Sequence, residues 1–84
     1  MAKIVDVDQA NVFWLADGRT LKNLAELNEA LKTMNQDVFS HHVNSEKNDF
    51  ANWVEQCIKD ASLAKQLRKA KSIATARKKV AARL

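Results

Sequence analysis

The sequence has one glycine, no proline and one cysteine, and each shortage excludes a class of structure. Tight turns favour glycine and proline, so a β-sandwich would need more of both, and the composition favours helices instead. A single cysteine, Cys57, excludes an intramolecular disulfide and fits a reducing compartment. One glycine also leaves no room for a glycine-rich loop that binds phosphate.

Long apolar runs are missing as well. No stretch approaches the ~18 consecutive apolar residues of a membrane-spanning helix. The N-terminal segment MAKIVDVDQA carries acids and lacks the apolar centre of a signal peptide. Together with the cysteine usage, this predicts a cytoplasmic protein. The length of 84 residues fits one small domain over 1–84.

Acidic residues are absent from the C-terminal part of the chain. Residues 61–84 contain eight Lys and Arg and no acid, whereas residues 1–60 contain ten acids and six Lys and Arg. The net charge of +4 therefore hides an acidic body and a basic C-terminal helical region over 62–84, here called the basic arm. Surface charges that serve only solubility usually mix both signs.

The basic arm has several interpretations. It can be a solvated helix face, or it can fold back on the acidic body. A membrane-surface role is disfavoured because the arm has no aromatic anchor. Binding to nucleic-acid phosphates is the more specific functional hypothesis, although the sequence has no motif that reads bases. The arm residues expected to bind nucleic acid are Lys65, Arg68, Lys69, Arg77, Lys78, Lys79 and Arg83.

The N-terminal part of the chain predicts a β-ribbon. The run VFWLA, residues 12–16, is β-prone, and it is followed by Asp17-Gly18 and then RTL. An Asp-Gly pair between such runs predicts a two-residue hairpin turn, because the turn needs positive φ. The run KIVDVD, residues 3–8, is predicted to be extended. A two-stranded ribbon is marginal alone and must pack on helices.

After the ribbon, apolar residues recur at the spacing of a helix. Leucines at helical intervals predict a helix over 20–34, in which Asn23 and Glu26 resemble a capping box. A short helix is predicted over 36–43, and another begins near Phe50. Its apolar stripe has the i, i+3, i+4, i+7 spacing of a helix packed on a core. The stripe consists of Phe50, Trp53, Val54, Cys57 and Ile58.

The basic arm carries two apolar stripes at different angles. Asp60 or Ser62 can cap its first helix, and the change of stripe predicts a break near Lys71-Ser72, with Ser72 as the next cap. The predicted fold is therefore mainly α, with an N-terminal two-stranded β-ribbon followed by a bundle of four or five short helices. The expected core comprises Phe13 or Trp14, Leu15, Leu24, Leu27, Leu31, Val38, Phe39, Phe50, Trp53, Val54, Ile58, Leu63 and Leu67.

Residues 41–54, HHVNSEKNDFANWV, concentrate the polar chemistry of the sequence, and we call them the joint. A metal site is disfavoured, because adjacent histidines point about 100° apart on a helix. A Cys57–histidine nucleophile is also disfavoured, since a cysteine on an apolar stripe is usually inert. No catalytic motif is present, so we expect no enzyme, no cofactor and no metal.

Two interpretations of the joint remain. The first is a helix–loop–helix connection with a dense capping network, because Asn, Ser and Asp favour helix starts. The second is a surface that binds a protein partner. The residues expected at such a surface are His42, Asn44, Lys47, Asn48, Asp49 and Trp53.

Three separated runs resemble a small domain of unknown function found in archaeal and bacterial proteins. They are VFWLADGRTLKNLAELNEAL, HHVNSEKNDFANWV and SLAKQLRKA, and the resemblance covers about residues 12–70. It implies a common fold but brings no activity, substrate or cofactor. The positions that match the pattern are Asp17, Gly18, His42, Asn44, Asn48, Asp49 and Trp53.

The sequence thus predicts a small, non-enzymatic binding module, with protein interaction or regulation as its role. The alternative is non-specific binding of nucleic acid through the basic arm. Salt and neutralisation of Arg77, Lys78 and Lys79 distinguish the two, since only nucleic-acid binding should weaken with both. The sequence leaves the identity of the partner and the oligomeric state open.

Overall fold

Across residues 6–84, which the computed structural model describes, the chain forms two short strands and five α-helices. A 3₁₀ turn, Gln9–Asn11, precedes the strands, and a π-helical turn, Val54–Ile58, continues the third helix. The mainly α fold with an N-terminal two-stranded ribbon is confirmed. The elements are β1 (Phe13–Trp14), β2 (Thr20–Leu21), α1 (Leu24–Thr33), α2 (Gln36–His42), α3 (Asp49–Trp53), α4 (Ala61–Arg68) and α5 (Ile73–Ala81).

The ribbon is antiparallel and separates a buried face from an exposed face. Phe13 pairs with Leu21, and both are buried. Trp14 pairs with Thr20 on the opposite face, where the tryptophan is 67% exposed. Side chains alternate along a strand, so only one of the two adjacent aromatics can reach the core, and it is Phe13.

The hairpin turn is one residue longer than predicted. The backbone N–H of Leu15 donates to the carbonyl of Arg19 at 2.8 Å, which leaves three residues in the loop. The N–H of Gly18 donates to the Leu15 carbonyl at 3.0 Å, and Gly18 has φ 97°. A type I turn closed by a left-handed residue makes this three-residue loop, so the glycine has the expected positive φ in a different turn.

The predicted extended segment 3–8 falls partly outside the described residues. Within them, residues 6–8 form no regular strand, although the N–H of Val7 donates to the carbonyl of Lys22 at 2.8 Å.

Each α-helix begins at a residue whose side-chain oxygen accepts a backbone N–H three positions later. The caps are Asn23, Asn35, Asn48, Asp60 and Ser72. Such caps satisfy one of the N–H groups that a helix start leaves unpaired. The predicted break before Ser72 is confirmed. The first helix begins at Leu24 rather than at residue 20, because residues 20–21 belong to β2.

In the core, α1 packs against α5, α3 packs against α4, and α4 also packs against α5; the buried apolar residues form one cluster. Most of the predicted core is buried, but Val38 and Ile58 are only partly buried and Trp14 is exposed. The buried apolar residues that the core prediction did not name are Leu21, Ala30, Met34, Val43, Ala51, Ala64, Ala70, Ala76 and Val80.

The π-helical turn explains the incomplete burial of the third apolar stripe. The N–H of Lys59 reaches back five residues to the Val54 carbonyl, and Lys59 adopts the left-handed conformation with φ 65°. A π turn inserts one extra residue, which rotates the later side chains away from the α-helical register. Val54 is therefore fully buried, whereas Cys57 and Ile58 are half-buried against the core.

Candidate functional site

The joint is organised by His42, which is buried and hydrogen-bonded at both ring nitrogens. The backbone N–H of Ala16 donates to His42 Nε2 at 3.0 Å, and His42 Nδ1 lies 2.9 Å from Asp49 Oδ2. A backbone N–H can only donate, so Nε2 is the acceptor and the proton sits on Nδ1, facing the carboxylate. The ring also packs edge-on against Phe13. His42 therefore connects the hairpin loop to the start of α3.

Asp49 joins this buried contact to the surface. Its Oδ2 atom also lies 3.2 Å from Lys47 Nζ. Asp49 occupies the first turn of α3, where a carboxylate is favoured by the helix dipole. One carboxylate thus holds both the core histidine and an exposed lysine of the joint.

The loop before α3 is fixed by Asn44. Its Oδ1 atom accepts the backbone N–H groups of Glu46 at 2.8 Å and Lys47 at 3.2 Å. The Asn44 N–H donates to the Lys47 carbonyl at 2.9 Å. An asparagine that satisfies the backbone two and three residues ahead makes a tight, pre-organised turn.

Asn48 ties the joint to α4. Its Oδ1 accepts the N–H of Ala51 at 3.0 Å, and its Nδ2 donates to the carbonyl of Leu67 at 2.8 Å. Trp53 is also occupied within the fold: it is buried, and its Nε1 donates to the Asn11 carbonyl at 2.7 Å. The capping network that the sequence predicts is therefore present, with His42 and Trp53 inside it.

Exposed residues of the joint, including Asn52 of α3, line an open polar pocket of about 330 Å³, which we call the joint pocket. Arg68 of α4 and Lys71 complete the lining. Three residues predicted to bind a protein partner and one predicted to bind nucleic acid thus lie in the same pocket. Its lining consists of Asn44, Ser45, Glu46, Lys47, Asn48, Asn52, Arg68 and Lys71.

Ser45, Glu46, Asn52 and Lys71 line the pocket but were not among the predicted site residues. The sequence does contain a signal for Asn52, which follows Asn48 by four residues and so lies one turn further along the same helix face. No comparable signal brings Lys71 to the joint, because that contact depends on how the helices pack.

Two residues of the basic arm fold back on the acidic body. Arg68 Nη2 contacts Glu55 Oε1 and, at 3.4 Å, Asn52 Oδ1. Arg83 makes a bidentate pair with Asp60, with Nε–Oδ2 2.7 Å and Nη2–Oδ1 2.8 Å. The Arg83 guanidinium holds the pKa of Asp60 below its ordinary value, and the carboxylate raises the pKa of Arg83.

The other cations of the arm behave differently. Within residues 6–84 they form no ion pair with an acidic side chain. These residues are Lys65, Lys69, Lys71, Arg77, Lys78 and Lys79. Of these six, only Lys71 lines the joint pocket.

A second depression, of about 750 Å³, runs along β2 and α1 beside the hairpin. It is wide and open, and Thr20, the cross-strand neighbour of Trp14, forms part of its wall. None of the residues predicted to bind a partner or nucleic acid lies in it.

The described part of the chain offers neither a metal site nor a membrane span. Residues 6–84 contain no group of three or more His, Cys, Asp and Glu side chains that could hold a metal ion. No helix within them is both long and apolar enough to cross a bilayer.

The fold and the joint define a small helical domain in which a β-ribbon and three helices are tied together by one polar network. Comparison with family models assigns residues 5–80 to a family of unknown function, DUF5752. The chain therefore belongs to this family, which confirms the resemblance to a small domain of unknown function. Neither the curated proteins nor the solved structures gave a match.

Proposed function

We propose that this protein is a non-catalytic binding module that holds a protein partner at the joint pocket. The observation that carries the proposal is convergence: the loop after α2, α3 and the end of α4 all contribute polar side chains to one open pocket. Its walls are pre-organised by Asn44 and Asn48, so little conformational entropy would be lost on binding.

A non-catalytic role is supported by how the reactive groups are used. Both ring nitrogens of His42 are engaged in the fold, so neither is free to move a proton to or from a ligand. Cys57 packs partly buried against the apolar core, an environment in which a thiol acts as a small hydrophobe. The residues left facing the pocket are suited to recognition through hydrogen bonds.

The proposal is tested with a photo-crosslinking amino acid placed at Ser45, in the pocket, and at Lys32, which is exposed on α1 outside it. In cells of the native source, the crosslinker at position 45 should capture a defined protein that the crosslinker at position 32 does not. That protein, once identified and purified, should bind the wild-type chain and bind Lys71→Gln more weakly. Identical products from both positions, or no protein from Ser45, would refute the proposal.

The nucleic-acid alternative predicts a different result. Fluorescence anisotropy with labelled duplex DNA and single-stranded RNA should then show binding that falls steeply with salt. The triple neutralisation of Arg77, Lys78 and Lys79 should abolish it. Binding of this kind, together with no protein captured at Ser45, would replace the protein partner by nucleic acid.

A further inference from the structure

The hydrogen-bonding groups that line the joint pocket are unevenly used. The side-chain acceptors of its asparagines are consumed by the fold: Asn44 Oδ1 accepts from the loop, Asn48 Oδ1 from α3, and Asn52 Oδ1 from Arg68. The amide oxygens of the three asparagines are therefore engaged by the fold before any ligand arrives, and the carboxylate of Glu46 is the acceptor that remains on the lining.

Three side-chain donors on the lining have no such partner. Within residues 6–84, the Nδ2 groups of Asn44 and Asn52 donate to no protein atom, and Lys71 Nζ has no carboxylate partner. Both asparagines and Lys71 are exposed on the pocket walls. A ligand that pairs with these three donors must supply acceptors, and an oxyanion supplies several without needing a donor in return.

The local charge distinguishes a carboxylate from a phosphate. Lys47 is already paired with Asp49, and Arg68 with Glu55, so these two cations are largely neutralised. Lys71 and Glu46 are then the remaining charges on the lining. One unpaired lysine near a carboxylate suits a singly charged ligand, whereas a doubly charged phosphate normally requires a cluster of cations.

We propose, resting on the proposed function above, that the joint pocket recognises an aspartate or glutamate side chain in an acidic segment of the partner protein. Lys71 provides the charge that pairs with the carboxylate. The Nδ2 groups of Asn44, in the loop after α2, and of Asn52, in α3, donate hydrogen bonds to it. The partner segment is thus acidic, and Lys71 is the cation of the basic arm that serves recognition.

The test is a titration of the full chain with a short glutamate-rich peptide and with the same peptide carrying glutamine in place of glutamate. Lys69→Gln is the matched control for Lys71→Gln, because Lys69 is also exposed and its replacement removes the same charge, but it does not line the pocket. Binding is followed by the side-chain amide resonances of Asn44 and Asn52 in ¹H–¹⁵N spectra, which report occupancy of the pocket directly.

The acidic peptide should shift both amide resonances, and the glutamine peptide should not. Lys71→Gln should weaken binding about fivefold, the effect of losing one solvent-exposed ion pair, whereas Lys69→Gln should change it less than about twofold. Equal weakening by the two variants would indicate non-specific charge attraction and overturn the proposal. Tighter binding of inorganic phosphate than of the acidic peptide would also overturn it, in favour of a phosphate site.

The two proposals can fail separately. If Ser45 captures a protein but the acidic peptide leaves the asparagine resonances unmoved, the pocket binds a protein by other chemistry, and only the carboxylate assignment is lost. If the peptide binds at the pocket but no protein is captured in cells, the carboxylate site stands and the proposed function is lost.

Discussion

Replacing Asn48 separates two roles that one side chain plays in the joint. Its oxygen caps α3, and its amide nitrogen donates to the Leu67 carbonyl at the end of α4. Asn48→Asp keeps the capping oxygen and adds a charge that the helix start favours, but it removes the donor. It also places a carboxylate against a carbonyl oxygen. If the bond to α4 matters, this variant is destabilised although the cap is intact.

The expected loss of stability is the sum of two lost contacts, the cap on α3 and the bond to the Leu67 carbonyl. Loss of a cap costs about 1 kcal/mol, and loss of one further hydrogen bond costs about 1 kcal/mol. The Leu67 carbonyl keeps the Ala70 N–H at 2.9 Å, so no acceptor is left unpaired. We therefore expect the free energy of unfolding to fall by about 2 kcal/mol in Asn48→Ala and by about 1–2 kcal/mol in Asn48→Asp.

Asn35 is the matched control. It caps α2 through the same oxygen geometry, at 2.9 Å to the Val38 N–H, and it is exposed; among residues 6–84 its side chain donates to no other helix. Asn35→Ala should therefore cost about 1 kcal/mol, and Asn35→Asp about zero. Urea and thermal unfolding, followed by far-UV circular dichroism, measure all four variants. In a domain of this size, about 1 kcal/mol corresponds to roughly 4–8 °C in Tm. If Asn48→Asp is as stable as Asn35→Asp, the reasoning about the bond to α4 is refuted.

Three other features of the structure lead to predictions: the hydrogen bonds of His42, the positive φ of Gly18 and the Arg83–Asp60 ion pair. His42→Phe should lower the free energy of unfolding by about 2–4 kcal/mol, because it leaves the Ala16 N–H without its acceptor and leaves the Asp49 carboxylate with Lys47 alone. Exposed His41→Ala should change it by less than about 0.5 kcal/mol, and equal costs of the two variants in denaturant unfolding would contradict this. Gly18→Ala should lower the free energy of unfolding by about 1 kcal/mol through its φ of 97° alone, since no atom of residues 6–84 lies within 4 Å of an added Cβ. An unchanged stability in the same assay would contradict this. Arg83 lowers the pKa of Asp60, so the stability from this pair is complete above the ordinary value of 3.8 and is lost as pH falls through the lower folded pKa. Asp60→Asn should remove that part of the acid sensitivity, and an unchanged pH profile of unfolding would argue against the pair.

The features that the sequence predicted well depend on local interactions. The caps Asn23 and Ser72 were recognised, and Asp60 was one of two candidates, because a cap involves only residues three positions apart. The first helix was nevertheless predicted to begin near residue 20, four residues too early. The core stripes were likewise visible because helical spacing places them on one face. The length of the hairpin loop was wrong by one residue, since Asp-Gly is compatible with two turn geometries and packing selects between them.

The chemistry of the joint depends on distant contacts and was less accessible. The Nε2 atom of His42 is satisfied by Ala16, which lies 26 residues earlier in the chain, and no local pattern indicates that pairing. The contacts of the basic arm also depend on distant residues and could not be predicted from local patterns. The sequence left open whether the arm folds back on the body, and packing brings Arg68 to Glu55 and Arg83 to Asp60 while leaving Lys71 at the pocket.

The packing of α5 against α1 has a consequence for how the chain folds. These two helices contact each other across about 40 intervening residues, and closing a loop of that length costs ~3 kcal/mol of chain entropy. The cost must be met before the contact returns any stability, so α5 is expected to dock late. A fluctuation that detaches α5 uncovers the apolar side of α1 while the joint remains intact. Aggregation of this protein should therefore begin from a state that has lost its last helix rather than from a fully unfolded chain.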